Sequence, residues 1–258
     1  MVELRRLLVE SQRLTSTTAS DHLLSLNNDE VHYLRRVLRL RNGQAVAVVD
    51  GVGHLWEAHL QAGDLLKLDT SPSYPFLQEP RHHQQLGLAV VVPRRGFEEV
   101  LRMSCELGIN LIQPLRSQRS TPQAVDRPSR WKLILREAVE QSEQLWLPKL
   151  LPLAEVSFWW SSPPENTVFA LATTRRQGLI DLQTLMEGLS PDINQVWVAI
   201  GPEGGWSPLE ENSAEAAGWL PVGLGDSILR TCTASVAATQ TMVSNRRTRR
   251  LNDPSTSQ

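Results

Sequence analysis

The sequence predicts an α/β protein with a mostly parallel sheet, preceded by a small β-rich domain. Three observations carry that expectation. Residues 86–92 are a continuous apolar run, as in a strand buried on both faces. Helix-period and strand-period segments then alternate towards the C-terminus, the pattern of stacked βαβ units. Before residue 71, by contrast, short strands with turn signals surround one helix, which suggests a small barrel.

In the first part, residues 44–49 and 54–60 flank the turn Asp50-Gly51 and predict a returning pair of strands, with 65–68 as a further short strand. A helix is predicted over 29–40, with Val31, Leu34, Val37 and Leu38 on one face, Asn28 or Asp29 as its cap and Asn42-Gly43 as its end. Three prolines between 72 and 80 read as an extended linker and a domain boundary. The expected domains are therefore 1–70, a linker over 71–80, an α/β domain over 81–246 and a tail over 247–258.

In the second part, a strand over 86–92 is followed by a helix over 97–107 that Gly108 stops, and by a strand over 109–112. A long helix over 129–144, a strand over 167–172, a short helix over 182–186 and a strand over 196–200 continue the alternation. A helix over 208–217, a short strand over 220–224 and a final helix over 231–244 complete it. Residues 245–258 are basic and then polar, and predict a frayed end.

Composition narrows the classes. The chain has 258 residues, of which 41% are hydrophobic and 21% charged, enough apolar material for a sizeable core and too much for a mainly disordered chain. No apolar run approaches the ~20 residues that cross a bilayer. The start, Met1-Val2-Glu3-Leu4-Arg5-Arg6-Leu7-Leu8, has no long apolar segment and predicts no secretory signal. Cys105 and Cys232 form no C-x-x-C pair, which disfavours a disulfide scaffold or a cysteine zinc site, and His82-His83 lacks nearby carboxylates. A reduced, cytoplasmic setting without metal or membrane is expected.

The net charge is −2, but only residues 81–160 are net positive, with 11 basic and 8 acidic groups. Of 26 basic residues 23 are Arg, whose planar fork suits phosphates and base stacking.

Two segments carry chemistry. Ile200-Gly201-Pro202-Glu203-Gly204-Gly205 follows a predicted strand, and Ser207-Pro208-x-Glu210 opens the next helix. Ligands of open α/β sheets sit beyond the strands' carboxyl ends, and glycines there let backbone approach a ligand. The spacing is neither G-x-G-x-x-G nor a G-x-x-x-x-G-K-[ST] phosphate loop. The second segment runs from Leu224-Gly225 through Ile228-Leu229-Arg230-Thr231-Cys232-Thr233 and also joins a strand to a helix. Arg230 stands at a helix start, where a cation opposes the macrodipole, so a role beyond local stability is expected.

With these residues in place, the chain resembles the RsmE family, SPOUT-class methyltransferases that modify N3 of a uridine in small-subunit (16S) ribosomal RNA. The resemblance rests on Ile200-Gly-Pro-Glu-Gly-Gly-Trp-Ser and on Leu224-Gly with Ile228-Leu-Arg-Thr-x-Thr-Ala. Upstream, Cys105-Glu-Leu-Gly-Ile109, Ile112-Gln-Pro, Ser117-Gln-Arg-Ser120 and Arg130-Trp131 match in order. So do Glu137-Ala-Val-Glu-Gln-Ser142 with Pro148, and Arg35-Arg36-Val37-Leu38-Arg39 with Gly43. There are departures: Met103 stands for a usual Lys, Gln118 for the Glu of S-E-R-S, and Gln144 for an Arg. Ser227 stands for another Arg, Cys232 for the Glu of L-R-T-E-T, and Thr173-Thr174 for a His-Pro-like pair. They thin the polar groups around the loops.

The resemblance implies a PUA-like N-terminal barrel, a trefoil-knotted C-terminal domain and a homodimer. The final helix agrees with the last, because its apolar residues Ala234, Val236, Ala237, Ala238, Met242 and Val243 spread over more than one face. It implies S-adenosyl-L-methionine as cofactor, held by Leu171, Ala172 and Thr173, by Ile200, Gly201, Pro202, Glu203, Gly204 and Gly205, and by Leu224, Gly225, Ile228, Leu229, Thr231 and Thr233. Arg230 and Glu203 are the expected catalytic residues. Arg35, Arg36, Arg39, Arg94, Arg95, Arg116 and Arg119 are the expected contacts to ribosomal RNA. Two other functions stay open on the sequence: a methyltransferase of this class acting on another RNA such as transfer RNA, and a non-catalytic RNA-binding assembly factor.

Overall fold

The computed structural model describes residues 4–15, 22–122 and 125–252. The chain forms two compact units. One runs through Arg81 and includes Arg136–Leu147; the other comprises His82–Leu135 and the chain from Pro148 onward.

In the first unit β1 (Arg6–Leu8), β2 (Leu23–Ser25), β3 (Ala45–Val49), β4 (His54–Gln61), β5 (Leu65–Leu68) and β6 (Leu77–Gln78) form one sheet. Its order is β1-β3-β4-β5-β2, with β6 also on β4. β1 and β3 run parallel, and the other pairs are antiparallel. Alternation along these strands turns Leu7, Val46, Val48, Leu60, Leu66 and Leu68 into a common core. The proline-bearing stretch expected to be an extended linker contributes β6, which pairs with His54 and Leu55.

Between the strands lie α1 (Ser11–Thr15) and α2 (Asn28–His32). The helix expected over 29–40 is shorter. Its cap is Asn27, whose side chain accepts from the Glu30 amide at 2.9 Å while the Glu30 carboxylate accepts from the Asn27 amide at 2.9 Å. Tyr33–Val37 then form a π-helical turn, closed by the Leu38 amide donating to the Tyr33 carbonyl. The wider turn shifts the helical phase, so Leu34 stays buried while Val37, expected on the apolar face, is 59% exposed.

Glu30 is also a buried charge of this unit. Its carboxylate accepts from Arg13 through Nη1 at 2.5 Å and Nη2 at 2.9 Å, and Arg136 approaches at 3.5 Å. Burial opposes its ionisation, but the bonds from Arg13 and Asn27 hold the carboxyl below its ordinary range. Arg136 and Glu140 bond both polar groups of the Leu8 backbone, at 2.6 and 2.9 Å, so side chains complete the ladder beyond β1.

The second unit contains β7 (Gln85–Val91), α3 (Phe97–Leu107), β8 (Leu111–Arg116), α4 (Pro128–Ser142), β9 (Lys149–Leu150), β10 (Ala154–Glu155) and α5 (Val156–Trp159). These are followed by β11 (Thr167–Ala172), β12 (Ile180–Asp181), α6 (Leu182–Glu187), β13 (Gln195–Ile200), α7 (Pro208–Ala216), β14 (Leu220–Gly223) and α8 (Thr231–Asn252). The second half of α4 belongs to the first unit. The sheet order is β10-β8-β7-β13-β11-β14-β12, with β9 on β8, and every pair is parallel.

The second strand begins at Leu111 rather than 109. Gly108, at φ 97°, ends α3, and the next amide, that of Ile109, still donates back to Ser104. The last helix does not fray at 245 but continues to Asn252, because its arginines are engaged. Arg246 donates to Asn110 Oδ1 at 2.5 Å and to the Gly108 carbonyl at 3.0 Å, while Arg249 donates to the Met186 carbonyl at 3.0 Å. Both cations thus sit at helix C-termini, where the macrodipole favours them. Residues 253–258 of the expected tail lie outside the described residues.

A cluster of Trp159, Trp160, Trp197, Trp206, Trp219 and Phe169 fills one side of this sheet. It constrains β7: a Cβ at Gly87 would lie 2.2 Å from the Trp197 indole. Gly87→Ala should therefore destabilise the protein by about 1–3 kcal/mol, measured by denaturant unfolding. Just before β7, burial and the charges of Arg246 and Arg250 push the His82 imidazole down to about 4 from 6.5. The unfolded chain takes up this proton below pH 6.5 and the folded chain only near 4, so stability should fall as pH drops through that window. The loss should be on the order of 1 kcal/mol after discounting for partial exposure, and His82→Gln should remove it from unfolding curves at pH 7 and 4.5.

Candidate cofactor cleft

Register places the site. Ala172, the last residue of β11, stands opposite both Ile200 of β13 and Val222 of β14. Ile200 also stands opposite Val90 of β7. The loops after these strands consequently leave the sheet at one level and along its carboxyl edge.

Side chains and backbone tie the loops together. After β11, the Thr173 amide donates to the Val222 carbonyl at 3.0 Å, and its hydroxyl donates to the Glu211 carboxylate of α7. After β13, Gly205 donates to the Pro202 carbonyl at 2.8 Å, closing a tight turn, and its φ of 70° suits glycine. Trp206 lies against Gly201, where an added Cβ would come within 3.1 Å of the indole, and its Nε1 donates to the Ala172 carbonyl at 3.0 Å. Ser207 and Glu210 then cap α7 reciprocally, as the S-P-x-E spacing requires. After β14, Gly225 takes φ 101°. The Thr231 hydroxyl at the start of α8 reaches back to the Gly201 carbonyl at 3.0 Å.

These loops enclose a cleft of about 840 Å3. Ala172, Thr173, Ile200, Gly201, Pro202, Glu203, Gly204 and Gly205 line it, with Leu224, Gly225, Ile228, Leu229, Arg230 and Thr231. Two residues expected there do not. Leu171 is fully buried, because strand alternation turns it away from the side Ala172 faces, and Thr233 is outside the lining. Trp206, Glu211, Arg175 and Arg176 line the cleft without having been expected. Trp206 follows directly on the glycines, but only the fold reveals that its ring returns beneath them.

The other residues singled out in the sequence have varied surroundings. The Glu203 carboxylate accepts from the Arg94 amide at 3.2 Å, which joins the turn after β7 to the cleft. Cys232 donates to the Gly96 and Arg95 carbonyls at 3.5 and 3.6 Å, and burial with Glu99 and Glu203 nearby raises its thiol. A thiol thus bonds the turn where the family usually has a carboxylate. The side chains of Arg94 and Arg95 are exposed on that turn. In the first unit Arg36 and Arg39 are exposed, whereas Arg35 is held by Asp64 at 3.0 Å, Asn42 at 3.1 Å and the Gln61 carbonyl at 2.9 Å. Arg116 pairs with Glu155 at 3.1 Å, and Arg119 lines the cleft, bonded to two carbonyls.

Among the described residues, no group of three or more His, Cys, Asp and Glu is arranged to hold a metal ion. No helix among them is long and apolar enough to cross a membrane.

The region 80–243 matches a family profile described as an RNA methyltransferase domain, and 26–69 matches an RNA methyltransferase PUA domain. The chain is 35% identical over 239 residues to a ribosomal RNA small subunit methyltransferase E from Synechocystis, covering 90% of this chain and 75% of the relative. It belongs to the ribosomal RNA small subunit methyltransferase E family. An RsmE relative from Bacillus subtilis is 24% identical over 83% of this chain and 87% of its own. The crystal structure of the Neisseria gonorrhoeae RsmE protein bound to S-adenosyl methionine superposes with a TM-score of 0.76 at 25% identity, covering 94% of this chain and 98% of that one. The RsmE fold, an α/β domain with a PUA domain before it, is thus the fold of this chain, and every residue lining the cleft lies in the matched methyltransferase region.

The bond from Trp206 to β11 is testable by itself. Trp206→Phe keeps a ring against Gly201 and removes the donor to the Ala172 carbonyl. It should cost about 0.5–1.5 kcal/mol in unfolding free energy, the net worth of one hydrogen bond at a half-buried acceptor.

Proposed function

We propose that this methyltransferase uses S-adenosyl-L-methionine to methylate N3 of a specific uridine in small-subunit (16S) ribosomal RNA, in the cytoplasm and as a homodimer. The observation that carries the reading is the cleft formed by three glycine-bearing loops at one sheet edge, together with family membership. Its volume exceeds what a nucleoside-sized ligand needs. Gly201, Gly204 and Gly205 bring side-chain-free backbone to the wall of the cleft, and Ile200, Leu224, Ile228 and Leu229 supply aliphatic cover. The residues present therefore fit the cofactor, which supplies an activated methyl group when bound.

The chain's own contribution is to hold the base, exclude water and manage one proton. N3 of uracil lies on the pairing edge, so the nucleotide must be unpaired or flipped to enter. It is weakly acidic, and its anion develops charge on the carbonyl oxygens. Arg230 lines the cleft and is exposed, which suits a guanidinium that stabilises that charge. Glu203, one of the carboxylates lining the cleft, is able to accept the proton, and its bond to Arg94 also makes it a brace. Arg94 and Arg95 stand on the turn braced by Glu203 and suit backbone phosphates, as do Arg36 and Arg39 of the first unit. The homodimer is supported by α8, where half-buried Val236, Ala237 and Val243 accompany buried Ala238 and Met242. Light scattering at micromolar concentration should give twice the monomer mass.

Single-turnover methyl transfer with RNA and cofactor both saturating tests the chemistry. Arg230→Ala should lower the rate on the order of 10²–10³-fold, with Arg230→Lys in between. A wild-type rate for Arg230→Ala would remove Arg230 from the reaction. In equilibrium binding, changing Arg94 and Arg95 to Ala should reduce the logarithmic salt slope by ~0.7–0.9 for each phosphate that is no longer neutralised.

A further inference from the structure

We infer that Arg119 is a positioning residue that sets the cofactor loop before the ligand arrives, and not a contact to RNA phosphate. The inference rests on the reading that the cleft takes S-adenosylmethionine. One nitrogen of its guanidinium, Nη1, donates to the Gly204 carbonyl at 2.9 Å and to the Trp206 carbonyl at 2.9 Å. The aliphatic stem runs along the same loop, since a Cβ built at Gly204 would meet Arg119 Cβ and Cδ at 3.6 Å each. The next contact has the same direction: the Gln118 amide donates to Glu210 Oε1 at 2.8 Å, while Glu210 Oε2 accepts from the Ser207 amide at 2.8 Å. The segment Ser117-Gln118-Arg119-Ser120 is itself held in a tight turn, with the Ser117 amide bonded to the Ser120 hydroxyl at 2.9 Å. A short turn after β8 is thereby stitched to the middle and the C-terminal end of the loop after β13.

The loop needs such a strut. Gly204 and Gly205 are adjacent, and glycine has the most backbone freedom to lose on ordering. A loop left free would charge that ordering to ligand binding, whereas one already braced leaves the binding energy intact. Charge-assisted bonds to carbonyls are the stronger kind, and here one cation serves the two residues that flank Gly205. The same feature explains why substitution of the neighbouring family Glu by Gln118 is harmless to the stitch: the contact uses the backbone amide, not the side chain.

The experiment measures S-adenosylmethionine affinity by calorimetry and RNA affinity by filter binding for wild type, Arg119→Ala and Arg119→Lys, with thermal unfolding of each. Steady-state kinetics on ribosomal RNA accompany them. Arg119→Ala should raise the Kd for S-adenosylmethionine roughly ten- to hundredfold and raise KM for it while kcat at saturation stays close to wild type. RNA affinity should stay within about twofold. Arg119→Lys keeps the charge on a shorter stem and should recover part of the cofactor affinity, which also carries the test if the Ala variant does not fold. Unchanged cofactor affinity in a folded Arg119→Ala protein, or lost RNA affinity with cofactor affinity intact, would overturn the inference. A wild-type protein that fails to bind S-adenosylmethionine would instead overturn the reading of the cleft on which it rests.

Discussion

The site depends on the parallel register of β11 with two neighbours at once. Because Ala172 stands opposite both Ile200 and Val222, three strands end within one residue of the same height. Slipping any of them by one residue would turn inward-facing side chains outward and put the loops at different levels. The burial of this part of the sheet makes the register costly to change: Val196, Val198, Ala170 and Leu171 have no exposed surface. Apolar packing in the strands thus sets where the polar chemistry sits, and the tryptophan cluster on one face stiffens the same strands.

Loops rich in glycine are suited to approach a ligand and poorly suited to hold a shape unaided. This chain resolves that conflict with three struts from outside the glycine turn: the Trp206 indole to β11, the Thr231 hydroxyl from α8, and Arg119 from the turn after β8. Glu203 ties in the turn carrying Arg94 and Arg95. The consequence is a cleft lined by glycines and aliphatic residues on one hand and by charged residues such as Arg175, Arg176, Glu203 and Arg230 on the other. That division suits a cofactor recognised through backbone and apolar contacts and a polyanionic substrate that approaches from solvent.

Much of this was legible in the sequence where local and tertiary signals agree. The helix Phe97–Leu107 has its apolar face at helix spacing and a glycine at its end, and its bounds follow from those alone. The strand Thr167–Ala172 likewise declares itself. Elements whose stability comes from elsewhere were not legible. β1 is three residues long and is completed by Arg136 and Glu140, more than a hundred residues away. The π turn after α2 leaves no mark in the periodicity but its consequence, Val37 turned outward. α8 outran its expected end because Arg246 and Arg249 look like a solvated tail until their carbonyl partners are seen. Arginine is the general difficulty: residue type shows a cation with a fork, but only the fold shows whether it is spent on a carboxylate, as in Arg116, on backbone, as in Arg119, or left at the surface, as in Arg36.

The central claim is that this cleft directs a methyl group to one uridine of the small ribosomal subunit. The most direct measurement is mass spectrometry of nuclease-digested ribosomal RNA from a strain lacking this gene, before and after incubation with the purified protein and S-adenosylmethionine. The account predicts that the deletion removes a single N3-methyluridine from 16S RNA and that the protein restores it. An unchanged 16S methylation pattern in the deletion strain, or a methyl group placed on transfer RNA instead, would contradict it.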